Sequence, residues 1–244
     1  MTEAEWLRSR DLFSLLSAED PTVTGRKLRL FACHCLRSLG DVLPFESQEC
    51  IKYMEKHLDG LLKWGDVVSR VNSRTIPYLL DTMASAAQLV TRGIPQLLVD
   101  PTADHTASEC ASWAAVLHRR GPNWRLWKDI VTYGGFVRIY TNEEEEAALL
   151  RNAPAASADM FLTAWHDIAG NPFRPVAFDH RWRTSTSIGL AQTMYDARDF
   201  AAMPILADAL QDAGCEDEAI LGHCRGDGPH VRGCWVVDLV LGKS

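Results

Sequence analysis

The chain has 244 residues, 47% of them hydrophobic, and a formal net charge of −7. It can bury a substantial core as one large domain or two small ones, and its acidic balance argues against a surface built to hold nucleic acid phosphates. No apolar run approaches the ~20 residues of a membrane span, and the charged start MTEAEWLRSRDLF lacks the apolar core of a secretory signal. The seven cysteines are therefore expected as reduced thiols and the protein as soluble and cytoplasmic.

Residues 2–17 read as a helix, with Trp6, Leu7, Leu12, Phe13, Leu15 and Leu16 on its apolar side. Thr2, followed three residues later by Glu5, has the form of a capping box, and Asp20-Pro21 ends the element. Residues 24–39 form the next helix, stopped by Gly40. Within it, Cys33 and Cys35 point their sulfurs about 200° apart at 3.6 residues per turn, so they are expected as buried thiols rather than as a metal-binding pair.

Further helices are expected over 47–62, 65–71 and 75–90. The Gly- and Pro-containing run 91–107 could divide the chain, giving an N-terminal helical region 1–95 and a C-terminal one 108–244, or one continuous domain. Residues 108–118 are helical in pattern. Trp124, Trp127 and Ile130 favour helix before Gly134-Gly135, while a short hairpin near 132–140 stays open. The acidic run Glu143–Glu146 suits the first turn of a helix continuing through Leu150. Helices follow over 158–168, stopped by Gly170-Asn171-Pro172, and over 184–195. Arg174 and Arg183 are expected to pair with neighbouring acids, and Trp182 to pack as an anchor. The fold class expected is all-α, as a multi-helix bundle or an irregular HEAT-like stack.

The stretch 200–242 concentrates the chemistry. Phe200, Met203, Ile205, Leu206, Leu210 and Ala213 give one helical face, with Asp199 as N-cap, Pro204 in the first turn and Gly214 as the stop. A second short helix spans 217–223. A third is expected from Pro229 to Gly242, which would place His230, Cys234 and Asp238 in one row. Cys215, His223 and Cys224 flank the second helix, so soft ligands from several segments can converge. Cys215, His223, Cys224, His230 and Cys234 are therefore the candidate zinc ligands, although their spacing matches no familiar zinc motif. The alternative for the cysteines is simple burial as small hydrophobes, with Gly233 allowing close approach of two helices.

The segments TEAEW (2–6), RKLRLFACHC (26–35), GNPFRPV (170–176), PILADALQDAGC (204–215) and HCRGDGPHVRGCWVVDLVLGK (223–243) carry a resemblance. The chain resembles a heavily duplicated family of planctomycete bacterial proteins. The resemblance covers about half the chain, implies a helical cytoplasmic bacterial protein, and brings no catalytic residues with it.

Two functions follow. The first is a non-catalytic interaction or regulatory module that binds a protein partner, needs no cofactor and engages neither nucleic acid nor membrane. Its basis is a succession of short amphipathic helices with the outline of stacked helix pairs. The alternative is a zinc-bearing protein whose C-terminal Cys/His site is structural or hydrolytic, with Asp227 or Asp238 as general base in the hydrolytic case. A third reading makes Cys224 or Cys234 a nucleophile beside His230. No P-loop, GxGxxG, GxSxG or HExxH motif accompanies any of these.

Overall fold

The computed structural model describes residues 1–16, 23–40, 45–70, 130–133, 136–139 and 155–243. The helices expected over 75–90 and 108–118, the connection 91–107, the helix before Gly134 up to residue 129 and the acidic run 143–146 lie outside them. Among the described residues the fold is helical, with one short hairpin.

Helix α1 (Glu3–Arg8) starts on the expected capping box. Glu5 N–H donates to Thr2 Oγ1 at 3.3 Å and Thr2 N–H to Glu5 Oε2 at 2.6 Å. The single helix expected over 2–17 is instead two. Ser9 is extended, its hydroxyl accepts from Asp11 N–H, and Asp11 carboxylate oxygens take Ser14 N–H and Oγ–H in the first turn of α2 (Leu12–Leu16). Ser and Asp side chains compete with the backbone ladder, and here they win.

Thr24 caps α3 (Gly25–Arg37), and the backbone turns at Gly40 with φ +51°. Cys33 and Cys35 are both buried. Helix α4 (Phe45–Leu58) packs on α3, and 64–70 is helical. The hairpin pairs Ile130–Tyr133 with Phe136–Ile139, Tyr133 opposite Phe136, so Ile130 belongs to a strand rather than to the expected helix.

Helix α5 (Ala155–Ala169) lies against α3 and brings Trp165 into edge contact with Phe31, ring centroids 5.3 Å apart. Together with Trp6, Leu15, Leu36, Ile51, Met54 and Phe161 they make one apolar cluster. A second cluster is built by α6 (Ser185–Ala197), α7 (Met203–Asp212), α8 (Glu218–Arg225) and α9 (Trp235–Leu241) around Tyr195, Leu206, Leu210, Ile220 and Val236. Helix α7 starts at Met203 with Pro204 in its first turn as expected, but Asp199 does not cap it: its carboxylate accepts from Ala201 N–H and Ala202 takes the cap position. Helix α9 begins only at Trp235, so the run from Pro229 to Gly233 is not helical.

Buried ion pairs join α3 and α4 to the C-terminal helices. Both carboxylate oxygens of Asp238 accept from Arg26, which also donates to Tyr195 Oη and to Leu58 O. Asp59 accepts from Tyr195 Oη–H at 2.6 Å, Lys243 Nζ at 2.8 Å and Arg232. Arg174 pairs with Glu3, whereas Arg183 donates to Leu239 O and so caps the end of α9 rather than meeting an acid. Trp182 packs against the second cluster and edge-on to Phe178.

Candidate metal centre

Asp167 sits in the last turn of α5. A carboxylate there faces the negative end of the helix and is disfavoured unless hydrogen-bond donors surround it. They do. His230 Nδ1 lies 2.7 Å and His223 Nε2 3.1 Å from Asp167 Oδ1, and Val231 N–H donates to Oδ2 at 2.8 Å. Burial alone would raise the Asp167 carboxyl. The hydrogen bonds from His223 and His230, the charge of His223 and the Val231 N–H prevail and hold it below the usual carboxylate range. Among the described residues no lysine or arginine pairs with it.

His223 comes from the last turn of α8, whose start is fixed by Asp217 capping Ala219 and Ile220 N–H. His230 and Cys234 come from the segment between α8 and α9. They are not on one helix face, as the sequence suggested. The segment reaches the site because Gly233 adopts φ +97°, a conformation L side chains avoid. A Cβ there would lie 2.9 Å from Leu30 Cδ1, so glycine also lets the segment press onto α3. Cys234 then becomes the N-cap of α9, its carbonyl accepting from Asp238 N–H. Its Sγ lies 3.2 Å from His223 Nε2 and 4.0 Å from His230 Nδ1. Asp238 faces away, toward Arg26.

Four donor atoms from Asp167, His223, His230 and Cys234 thus lie within 4.8 Å of one another, and Asp167 and Cys234 are buried. This group could hold a metal ion. Three of its members were among the candidate ligands. The other two, Cys215 and Cys224, lie outside the group, buried in the second apolar cluster. Asp167 escaped the sequence reading. Its signal was position: it stands on the same side of α5 as Met160 and Ala164, where an acid is out of place.

The arrangement does not make a nucleophile. A Cys–His–Asp triad needs the cysteine and the acid on opposite ring nitrogens. Here one nitrogen, His223 Nε2, meets both Asp167 and Cys234, and the other, Nδ1, accepts from Trp235 Nε1–H at 3.2 Å. Burial, then the charge of Asp167, pushes the Cys234 thiol well above its ordinary value, and burial with Cys215 and Asp167 pushes Cys224 up to about 12. Activated thiols show the opposite shift. Of the two candidate bases for hydrolysis, Asp238 is consumed by Arg26 and Asp227 is exposed in the loop after α8.

Comparison of the chain with protein-family profiles, curated proteins and solved structures finds no match.

Proposed function

We propose that this is a metal-bearing helical protein in which Asp167, His223, His230 and Cys234 hold one zinc ion in a structural site. The observation that supports the reading is the convergence of the four donors from α5, α8 and the segment before α9. Zinc ligands at about 2.0–2.3 Å in tetrahedral geometry stand roughly 3.3–3.6 Å apart. The donor separations of 2.7, 3.1, 3.2 and 4.0 Å bracket that range. A divalent cation also balances the charge of an aspartate and a cysteine thiolate, which removes the cost of burying either one alone. Four protein donors fill a tetrahedral shell, so the reading is structural rather than hydrolytic. Metal on His223 Nε2 moves the ring proton to Nδ1, and the hydrogen bond from Trp235 must then open.

Elemental analysis of the protein purified without added metal is expected to give about one zinc per chain. Cys234→Ser should lose it, while Cys215→Ser and Cys224→Ser keep it. Full retention in Cys234→Ser, or a wild type that holds no metal after zinc is offered, defeats the reading.

The interaction-module reading has one observation in its favour. An apolar cleft of about 460 Å³ is walled by Pro175, Val176, Trp235 and Leu239. A metal-free protein that folds fully would favour that reading.

A further inference from the structure

The same His230 that faces Asp167 with Nδ1 lines a second cavity, of about 360 Å³, between α3, α4, the end of α6 and the segment before α9. The cavity is rich in positive charge although the chain as a whole is acidic. Arg37, Arg198 and Arg232 stand on its wall with a single carboxylate, Glu55. Glu55 is already taken by Arg37, through Nε and Nη2 at 2.7 Å each, and by Arg198. Arg232 reaches Asp59, which Lys243 and Tyr195 share. Across the whole network five cations, Arg26, Arg37, Arg198, Arg232 and Lys243, meet three carboxylates, Glu55, Asp59 and Asp238.

Three residues that line the cavity each carry a buried nitrogen without a hydrogen-bond partner among the described residues: His34 Nε2, His230 Nε2 and Arg232 Nε. The His230 side chain is only 7% exposed. Buried polar groups left unpaired cost free energy, so the wall is not fully satisfied by the chain itself.

Arg198 adds an independent observation. It is the one non-glycine with φ in the left-handed region among the described residues, at φ 55°, as the C-cap of α6. Glycine is the usual occupant of such a position, and another residue there carries strain. Burial, together with the neighbouring charges of Arg37 and Arg232, also draws the Arg198 guanidinium below its ordinary value despite Glu55. A guanidinium is thus kept where both backbone and charge disfavour it.

We propose that this cavity binds a small oxyanion, a phosphate or carboxylate group carried on a compact molecule, through Arg37, Arg198 and Arg232. Guanidinium forks match the paired oxygens of both groups. The cavity is larger than a bare anion needs, and Met160 and Phe200 supply an apolar wall for the attached part. The arginines lie outside the proposed zinc shell, so anion binding does not depend on that reading.

The test is calorimetric titration of the protein, as purified, with inorganic phosphate and separately with malonate, at constant ionic strength. Saturable binding of about one anion per chain is expected, and which anion binds tighter identifies the group. Arg198→Gly relieves the backbone and is expected to fold, yet to weaken binding at least ~10-fold, the loss of one charge-assisted contact. Arg198→Lys keeps the charge without the fork and serves if the glycine variant does not fold; it too should bind more weakly. The exposed control Arg181→Gly should bind like the wild type. No saturable binding of either anion overturns the proposal. So does equal binding by the Arg198 variants, which would place phosphate elsewhere, including on a metal.

Discussion

Replacing Asp167 by asparagine tests the centre of the molecule with the least change of shape. The carboxylate accepts from Val231 N–H, His230 Nδ1 and His223 Nε2. An amide has one accepting oxygen and one donating NH2. If the oxygen keeps Val231, the NH2 cannot accept from the two histidine nitrogens, and the charge-assisted contacts to both are lost. Charge-assisted hydrogen bonds in buried sites are worth about 1.5–3 kcal/mol each, and breaking a buried pair costs about 3–5 kcal/mol. The expected loss for Asp167→Asn is therefore about 3–5 kcal/mol. For a chain of this length each kcal/mol moves the midpoint by roughly 2–4 °C, so Tm should fall by about 6–20 °C. Thermal unfolding followed by circular dichroism, with and without chelator, reads it. Under the zinc reading chelation brings the wild type down toward the variant, because both then lack the metal. A loss under about 1 kcal/mol would refute the reasoning that this carboxylate organises the site.

Two further predictions rest on the same packing. Gly233→Ala puts a Cβ at φ +97° and 2.9 Å from Leu30 Cδ1; left-handed strain of about 1–2 kcal/mol plus overpacking of about 1–3 kcal/mol should appear in chemical denaturation. A variant within ~0.5 kcal/mol of the wild type would mean the segment is not pressed onto α3. Asp59 is buried, and although burial raises its carboxyl, hydrogen bonds from Lys243, Tyr195 and Arg232 hold it below the ordinary range. Its folded value lies under the unfolded value of ~3.9, so its stabilisation is present at neutral pH and is lost as the pH falls through the folded value. Asp59→Asn should be less stable than the wild type at pH 7 and converge with it in acid; parallel curves across that range would contradict the assignment.

Much of the helical layout was legible because its signals are local. The Thr2–Glu5 box, Pro204 in the first turn of α7 and the ends at Gly40, Gly214 and Gly242 depend on residues a few positions apart. Local reasoning failed where two local choices competed. Ser9 and Asp11 split the first helix, and Pro229 suited a helix start that the chain takes only at Trp235. The candidate site was legible as a collection of residue types. His223, His230 and Cys234 were singled out, but on a false geometry in which His230 and Cys234 shared a helix face.

By itself, then, the sequence determined a helical chain, its caps and stops, and a C-terminal concentration of histidine and thiol. Only the tertiary structure decided which of those groups meet. Asp167 lies 63 residues before its partner His230, a separation no helical period spans. The left-handed turn at Gly233 and the close approach to Leu30 place Cys234 over His223 and leave Cys215 and Cys224 in the apolar cluster. Likewise Arg37, Arg198 and Arg232 come from three distant segments and become one charged wall only when the helices pack. Caps and periodicity act through neighbours in the chain. Ligand sets and charge clusters act through space, and packing alone sets those distances.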